Sequence, residues 1–160
     1  MPVDPSSRVG RLVTAAAGTR VFARVGPAVV PRLDRLMHRL SGGRVVLSAG
    51  MTPSLMLTTT GAKTGLRRTT PLATQPDGGS WYVVGSNFGR PSHPAWSANL
   101  IANPEAEITF KRRTIPVKAH LLTAEEKAEI WPRLLRLWPN YDVYTDRSGR
   151  DLRVFRLDPT

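Results

Sequence analysis

The sequence predicts a small antiparallel β-barrel with helices at its rim, of mainly-β or α+β class. Three observations lead there. From residue 44 onward six segments are short and either β-branched or alternating: "SLMLTTT", "RTTPLAT", "SWYVVGS", "EAEITFK", "TIPVKAHLL" and "DLRVFRL". "PDGG" at 76–79 joins the second to the third as a hairpin turn, and "KRR" at 111–113 joins the fourth to the fifth. Two helical segments interrupt the strands, which suits a rim rather than a layer of helices.

Taken in order, residues 1–43 read as a basic N-terminal helical segment and residues 44–160 as the barrel domain. Between residues 8 and 40, Arg8, Arg11, Arg20, Arg24, Arg32, Arg35 and Arg39 face Asp34 as the only acid. "PRLDRLMHRL" has Leu33, Leu36, Met37 and Leu40 at helical spacing, which predicts an amphipathic helix starting at Pro31 and ended by Gly42-Gly43. Val21, Phe22 and Val25 mark a less regular helical stretch before it. Such a segment is either a helix laid over the core or an interfacial helix touching anionic lipid.

In the barrel domain, "HPAWSANLIANP" carries Pro94 in a first helical turn and stops before Pro104. "TAEEKAEIWPRLLRLWP" opens with a capping box, Thr123 to Glu126. Trp131, Leu134, Leu135 and Trp138 share one face, and Pro132 is expected to break this helix into two pieces. Trp81 and Tyr82 fall on opposite faces of one strand.

Composition bounds the function. A chain of 160 residues with 41% apolar and 22% charged residues is long enough for one domain with a real core. The absence of cysteine excludes disulfides and thiolate chemistry, and the histidines at 38, 93 and 120 have no metal-ligand spacing. The net charge of +11 favours an anionic partner: nucleic acid, a membrane surface or an acidic small molecule. No apolar run approaches the ~20 residues of a spanning helix, and the first residues lack the order of a secretory signal. A cytoplasmic location is the default expectation, with peripheral contact at the inner face of the membrane as the sharper one. Nucleic acid is not expected, because the aromatic residues are not interleaved with the basic ones as stacking platforms.

The most informative stretch is "LTTTGAKTGLRRTTP" at 57–71. It is not a Walker-type loop, since Met56 stands where the first glycine is needed, and the dinucleotide fingerprint is absent. Physically it is a strand running into a turn where glycine permits close backbone approach. Backbone amides with the Thr60 and Thr64 hydroxyls can ring a phosphate, and Lys63 and Arg68 add charge. The bland alternative is a basic hairpin tip in solvent. A second stretch, "VVGSNFGRPSHPAWSANLIANP", follows a strand with a Gly-Ser-Asn-Phe-Gly loop and a helix start. Such a loop can lie against a flat polar ring, while the helix N-terminus attracts negative charge.

Together with the late "WPNYDVY", these motifs resemble the deazaflavin-dependent nitroreductase and quinone reductase family of actinobacteria, over roughly residues 44–157. The resemblance implies a split β-barrel like that of FMN-binding proteins, the cofactor coenzyme F420, and hydride transfer to a quinone, nitro compound or other conjugated acceptor. It implies that Ala62, Lys63, Thr64 and Arg68 hold the phosphate side of the coenzyme. Val84, Gly85, Ser86 and Asn87 would lie along the deazaflavin, and Ala95, Trp96, Ser97, Ala98 and Asn99 would complete the site from the helix start. Ser86, Tyr141 and Tyr144 take the catalytic roles, with Trp138, Tyr141 and Tyr144 as a wall over the acceptor. The sequence departs from the family pattern at Ala73, at Asn87-Phe88 and at Trp138. Bland readings stand beside these: Trp96 as core, Asn99 as a partner for backbone groups, and His93 as a cap or solvent residue. Alternatives in other classes are an FMN-binding split barrel, a non-catalytic carrier, and a basic nucleic-acid or membrane module.

Overall fold

Short β-branched runs joined by tight turns pair with their chain neighbours first, and the computed structural model, which describes residues 8–40 and 52–160, shows that pairing. Seven strands form: β1 (Ser54–Thr60), β2 (Arg67–Ala73), β3 (Gln75–Asp77), β4 (Ser80–Val84), β5 (Glu105–Phe110), β6 (Arg113–Leu121) and β7 (Val154–Pro159). Every pair is antiparallel, in the order β2-β1-β5-β6-β7-β4-β3.

Seven strands arise where six are expected because the chain turns at Thr74. β2 and β3 occupy opposite edges of the sheet, yet one residue separates them in the chain. The sheet must therefore curl until its edges meet. Thr74 is the clasp. It is buried, its N–H donates to the Pro53 carbonyl at 2.8 Å, and its hydroxyl donates to the Tyr82 carbonyl at 3.0 Å. The result is a curled half-barrel. Its hairpins close where the sequence places them, at Gly78-Gly79 and at Lys111-Arg112, both with positive φ. Lys111 (φ 47°) and Arg112 (φ 65°) adopt without glycine the conformation that a two-residue turn of this hand requires.

Alternation along the strands fills the barrel. Leu55, Leu57, Val83, Ile108, Val117 and Leu157 form the main core with Trp81 and Phe155. Tyr82 is half-exposed while Trp81 is buried, so the two do lie on opposite faces. A second core of Val84, Ile130, Leu134, Tyr141, Tyr144, Leu152 and Val154 fills the space between the sheet and two helices. These are α4 (Ala124–Leu137) and α5 (Asn140–Ser148).

Three helical expectations need correction. Pro132 does not break α4, which runs on to Leu137. The carbonyl that loses its partner belongs to Ala128, on the exposed side of the helix, where solvent can satisfy it. The "PNYDVYTDRSG" segment, outside the two helical segments expected among the strands, forms a third helix, α5, and Gly149 ends it in the left-handed conformation (φ 64°). In the N-terminal segment, α1 spans Arg8–Ala17 and α2 spans Arg20–Leu40, so the helix begins well before Pro31. Pro27 and Pro31 are four apart, so their lost hydrogen bonds fall on one stripe while the rest of the ladder continues. The stop at Gly42-Gly43 and the boundary at residue 44 lie outside the described residues. The capping box of α4 is as expected: the Glu126 N–H donates to Thr123 Oγ1 at 3.3 Å, and the Thr123 N–H donates to Glu126 Oε2 at 2.9 Å.

Candidate active site

Helix α3 (Ala95–Ala102) organises the two stretches that the sequence singles out. Trp96 and Leu100 turn inward, and the Trp96 ring packs tilted on Phe155 at 5.7 Å between centroids. Trp96 is therefore core, the blander of its two readings. Its neighbours Ala95 and Ala98, three apart, are exposed and form a methyl-only face. A planar ring can approach such a face closely.

The β1–β2 turn is tied to this helix. Gly61 N–H donates to the Leu66 carbonyl and Gly65 N–H to the Gly61 carbonyl, both at 2.8 Å, which closes the loop on itself. Asn99 then pins it. Its Oδ1 accepts from the Ala62 N–H at 2.9 Å and its Nδ2 donates to Thr59 Oγ1 at 3.0 Å. Asn99 thus satisfies backbone, in the turn rather than at its own helix end, and the Ala62 amide is engaged. Lys63 and Thr64 are exposed at the tip, where Thr64 Oγ1 folds back over Gly61 and accepts from the Leu66 N–H at 3.3 Å.

The three cations separate by register. Thr59 pairs with Arg68 and Thr60 with Arg67. Directly opposed residues share a face, so Arg68 lies on the side of buried Thr59 and Asn99, whereas Arg67 lies on the other. There Arg67 meets Glu107 at 3.4 Å. Lys63 and Arg68 have no carboxylate partner among the described residues.

The second stretch leaves β4 at Val84. Gly85 is buried, its N–H donates to the Arg153 carbonyl at 2.8 Å, and a Cβ there would stand 3.3 Å from that oxygen. Ser86 opens a one-turn 3-10 segment, Asn87–Gly89, whose three residues all have positive φ (45°, 54° and 74°). Two of the three are not glycine, a strained arrangement that its surroundings must hold in place. Asn87 Nδ2 donates to the Ser92 carbonyl at 2.9 Å. Phe88 meets the Phe22 ring of α2 edge-on at 5.5 Å. At Gly89 a Cβ would come within 3.1 Å of the Tyr144 ring and 3.2 Å of Arg147, so only glycine fits against α5. The Ser86 hydroxyl has no partner among the described residues. Ser97, fully buried, donates to the Pro94 carbonyl at 2.8 Å and accepts from Arg153 at 3.2 Å.

The late aromatic residues are less accessible than a wall over an acceptor suggests. Tyr141 and Tyr144 are 4% and 1% exposed, and Trp138 is half-buried beside them. The Tyr144 hydroxyl donates to the Ala17 carbonyl at 3.2 Å. Burial, then the neighbouring Tyr144, pushes the Tyr141 phenol well up, and burial pushes Tyr144 up against the opposing pull of Trp138 and Arg147. Both phenols stay neutral at working pH. Tyr144 touches the Asn87–Gly89 turn at Gly89, while Tyr141 packs in the second core beside Trp131.

Sequence reasoning missed three contributors. Arg150 and Arg153 reach the loop and α3 from the segment before β7, and a lone "GRDLR" offered no signal for that. The third is the corner between α1 and α2: Arg147 bonds to Gly18 and Thr19 carbonyls, which brings the basic segment against the site's far wall.

Known proteins share this fold. Residues 30–159 match the family described as F420H(2)-dependent quinone reductase. An F420H(2)-dependent quinone reductase of Mycobacterium tuberculosis is 36% identical over 135 residues, covering 79% of this chain and 87% of that protein. A solved F420-H2 dependent reductase superposes with a TM-score of 0.61 at 33% identity, over 66% of this chain and 94% of that one. A heme binding protein from Mycobacterium smegmatis shares the fold alone, with a TM-score of 0.54 at 19% identity over 68% of this chain and 47% of that one.

Proposed function

Since the chain belongs to the F420H(2)-dependent quinone reductase family, we propose that it transfers a hydride from reduced coenzyme F420 to a quinone or a related conjugated acceptor. The observation that carries this reading is the convergence on α3. One end holds unpaired Lys63 and Arg68, the middle is the bare Ala95–Ala98 face, and the other end holds the Gly85–Gly89 loop.

The donor set fits the coenzyme. Lys63, Thr64 and Arg68 suit a phosphate and an acidic tail, the arginine with a planar fork and the lysine as a point charge. Ala62 belongs to this turn through its backbone, held by Asn99. The α3 N-terminus, at the Gly85 end, carries no side-chain cap and turns its positive end toward the ring-edge loop. Ala95 and Ala98 present a flat apolar floor, while Gly85, Ser86 and Asn87 form the edge facing the ring, with Val84 behind them in the second core. Trp96 and Ser97 act from beneath by fixing the helix. The bound coenzyme supplies the hydride; the chain binds, orients and excludes water. Ser86 has a free hydroxyl at the ring edge and is the residue to polarise an acceptor oxygen. Of the three late aromatic residues, half-buried Trp138 has surface to offer an acceptor, while Tyr141 and Tyr144 back it from the second core.

The test is oxidation of reduced F420 by the purified protein against quinones, nitro compounds and enones. Turnover is expected with quinones. F420 binding without turnover on any acceptor would leave a carrier, and preference for FMN over F420 would leave an FMN-binding barrel.

A finer reading concerns location. Among the described residues no helix is long and apolar enough to cross a membrane. On α2, however, Val21, Val25, Val29 and Leu33 recur every fourth residue and Leu36 follows, all between 42% and 72% exposed. Arg20, Arg24 and Arg32 are exposed on the same helix. This supports α2 as a surface helix on anionic lipid, where quinones partition. Val21→Glu with Val25→Glu should abolish co-sedimentation with anionic vesicles. Wild-type protein that stays in the supernatant at low salt would end this reading.

A further inference from the structure

Arg150 holds more of the ring-edge loop than any other side chain. Its Nη1 donates to the Gly85 carbonyl at 3.0 Å, its Nη2 to the Ser86 carbonyl at 2.8 Å and its Nε to the Arg90 carbonyl at 3.1 Å. Nη1 also lies 3.0 Å from Nδ1 of His93. A guanidinium only donates, so His93 must offer a lone pair at Nδ1, which makes it the neutral tautomer with its proton on Nε2. One rigid, planar group thus spans the loop from its entry at Gly85 to its exit at Arg90 and on to His93.

The loop needs such a clamp. Asn87 and Phe88 sit at φ 45° and 54°, a region that disfavours any side chain. Within the turn itself two hydrogen bonds oppose that strain: Gly89 N–H to the Ser86 carbonyl at 3.0 Å and Arg90 N–H to the Asn87 carbonyl at 3.1 Å.

We propose that Arg150 is the positioning residue that fixes the Gly85–Arg90 loop in its ring-receiving shape, and that His93 makes this hold depend on pH by accepting from Arg150 only when neutral. This rests on the F420 reading for the identity of the ring, not for the clamp itself. The charged groups around His93 are Arg153, Arg150 and Asp151. Burial first, then the two guanidinium groups, hold its imidazole below the ordinary 6.5, with Asp151 opposing. The sign follows: the clamp is fully present above the ordinary imidazole range and is lost as pH falls through the lowered value. Protonation both removes the acceptor and places a third cation beside two.

The experiment uses the full chain with two readouts between about pH 5 and 8. One is hydrogen exchange at the Gly89 and Arg90 amides without cofactor; the other is the Kd for F420 from its fluorescence. Arg150→Met should speed exchange of both amides and weaken F420 about tenfold or more, and Arg150→Lys should restore only part, since one ammonium cannot span three carbonyls. His93→Asn keeps an acceptor near the Nδ1 position without a titrating ring, and should abolish the acid-side loss in both readouts. Should Arg150→Met not fold, Arg150→Lys decides by the same exchange. Wild-type exchange in the Arg150 variants, or an acid-side loss that persists in His93→Asn, would overturn the proposal. Wild-type protein that binds no F420 at pH 8 would overturn the functional reading instead, while loop exchange still judges Arg150.

Discussion

Replacing Lys63 and Arg68 together by alanine is expected to weaken F420 binding about a hundredfold or more, because each charge-assisted contact contributes about 1.5–3 kcal/mol. Each single variant should lose about tenfold, since 1.4 kcal/mol is one decade in Kd. The structure sharpens this expectation by separating Arg68 from its neighbour. Arg67 points from the opposite face and meets Glu107 at 3.4 Å, with both side chains substantially exposed (61% and 41%). An exposed pair of that kind contributes little to stability. Arg67→Ala should therefore bind F420 like the parent and melt like it, which makes it the internal control. Arg68→Lys should recover only part of the loss, because the planar fork is gone. Binding should also weaken with salt in the parent and much less in the double variant. Fluorescence titration reads all of these. If Arg67→Ala loses as much affinity as Arg68→Ala, the anion is held by bulk charge at the hairpin tip, and the register argument fails.

How much of this was legible in the sequence depends on the range of the forces involved. The hairpins at 76–79 and 111–113 and the capping box at Thr123 are set by residues within a few positions of one another, and they appear as read. What eluded the reading is long-range. Thr74 looks like any strand threonine until the sheet curls and its hydroxyl meets Tyr82. Pro132 reads as a breaker because the exposure of the Ala128 carbonyl depends on how α4 lies on the core. Arg150 stands 64 residues from the Ser86 carbonyl that it holds. Nothing in its local sequence separates it from other arginines of a basic chain.

The late tyrosines show the same limit from the other side. The resemblance draws attention to "YDVY" as an acceptor wall, and no third helix is expected there. In α5, positions 141 and 144 fall on one face at i and i+3, and that face covers the second core. Asp142 and the exposed Val143 occupy the outer face. Helical periodicity over so short a segment is hard to tell from a loop, and the Ser148-Gly149 stop was the available signal.

Asn99→Leu should destabilise the fold by about 2–4 kcal/mol and weaken F420 binding as well, because one side chain serves both. Asn99 is 8% exposed and makes two hydrogen bonds, to the Ala62 N–H and to Thr59 Oγ1, across the seam between α3 and β1. Leucine fills a similar volume but leaves both partners unpaired, at about 1–3 kcal/mol for each buried group. Thr59 is 2% exposed and has no access to water, so its share should approach the upper end. Ala62 is exposed, so its amide can rehydrate and its share should be small. The two contributions separate in a double-mutant cycle with Thr59→Val, which removes the orphaned hydroxyl. The pair should regain most of the lost stability but little of the affinity, since the β1–β2 turn stays unpinned from α3. Thermal melts and F420 titration on the same four proteins decide it. At roughly 2–4 °C per kcal/mol for a chain of this size, the melting change is large enough to read. Lys63→Ala, by contrast, should lose affinity with an unchanged melt. If Asn99→Leu melts and binds like the parent, the turn holds itself through the Gly61–Leu66 closure alone, and α3 does not set where the cations stand.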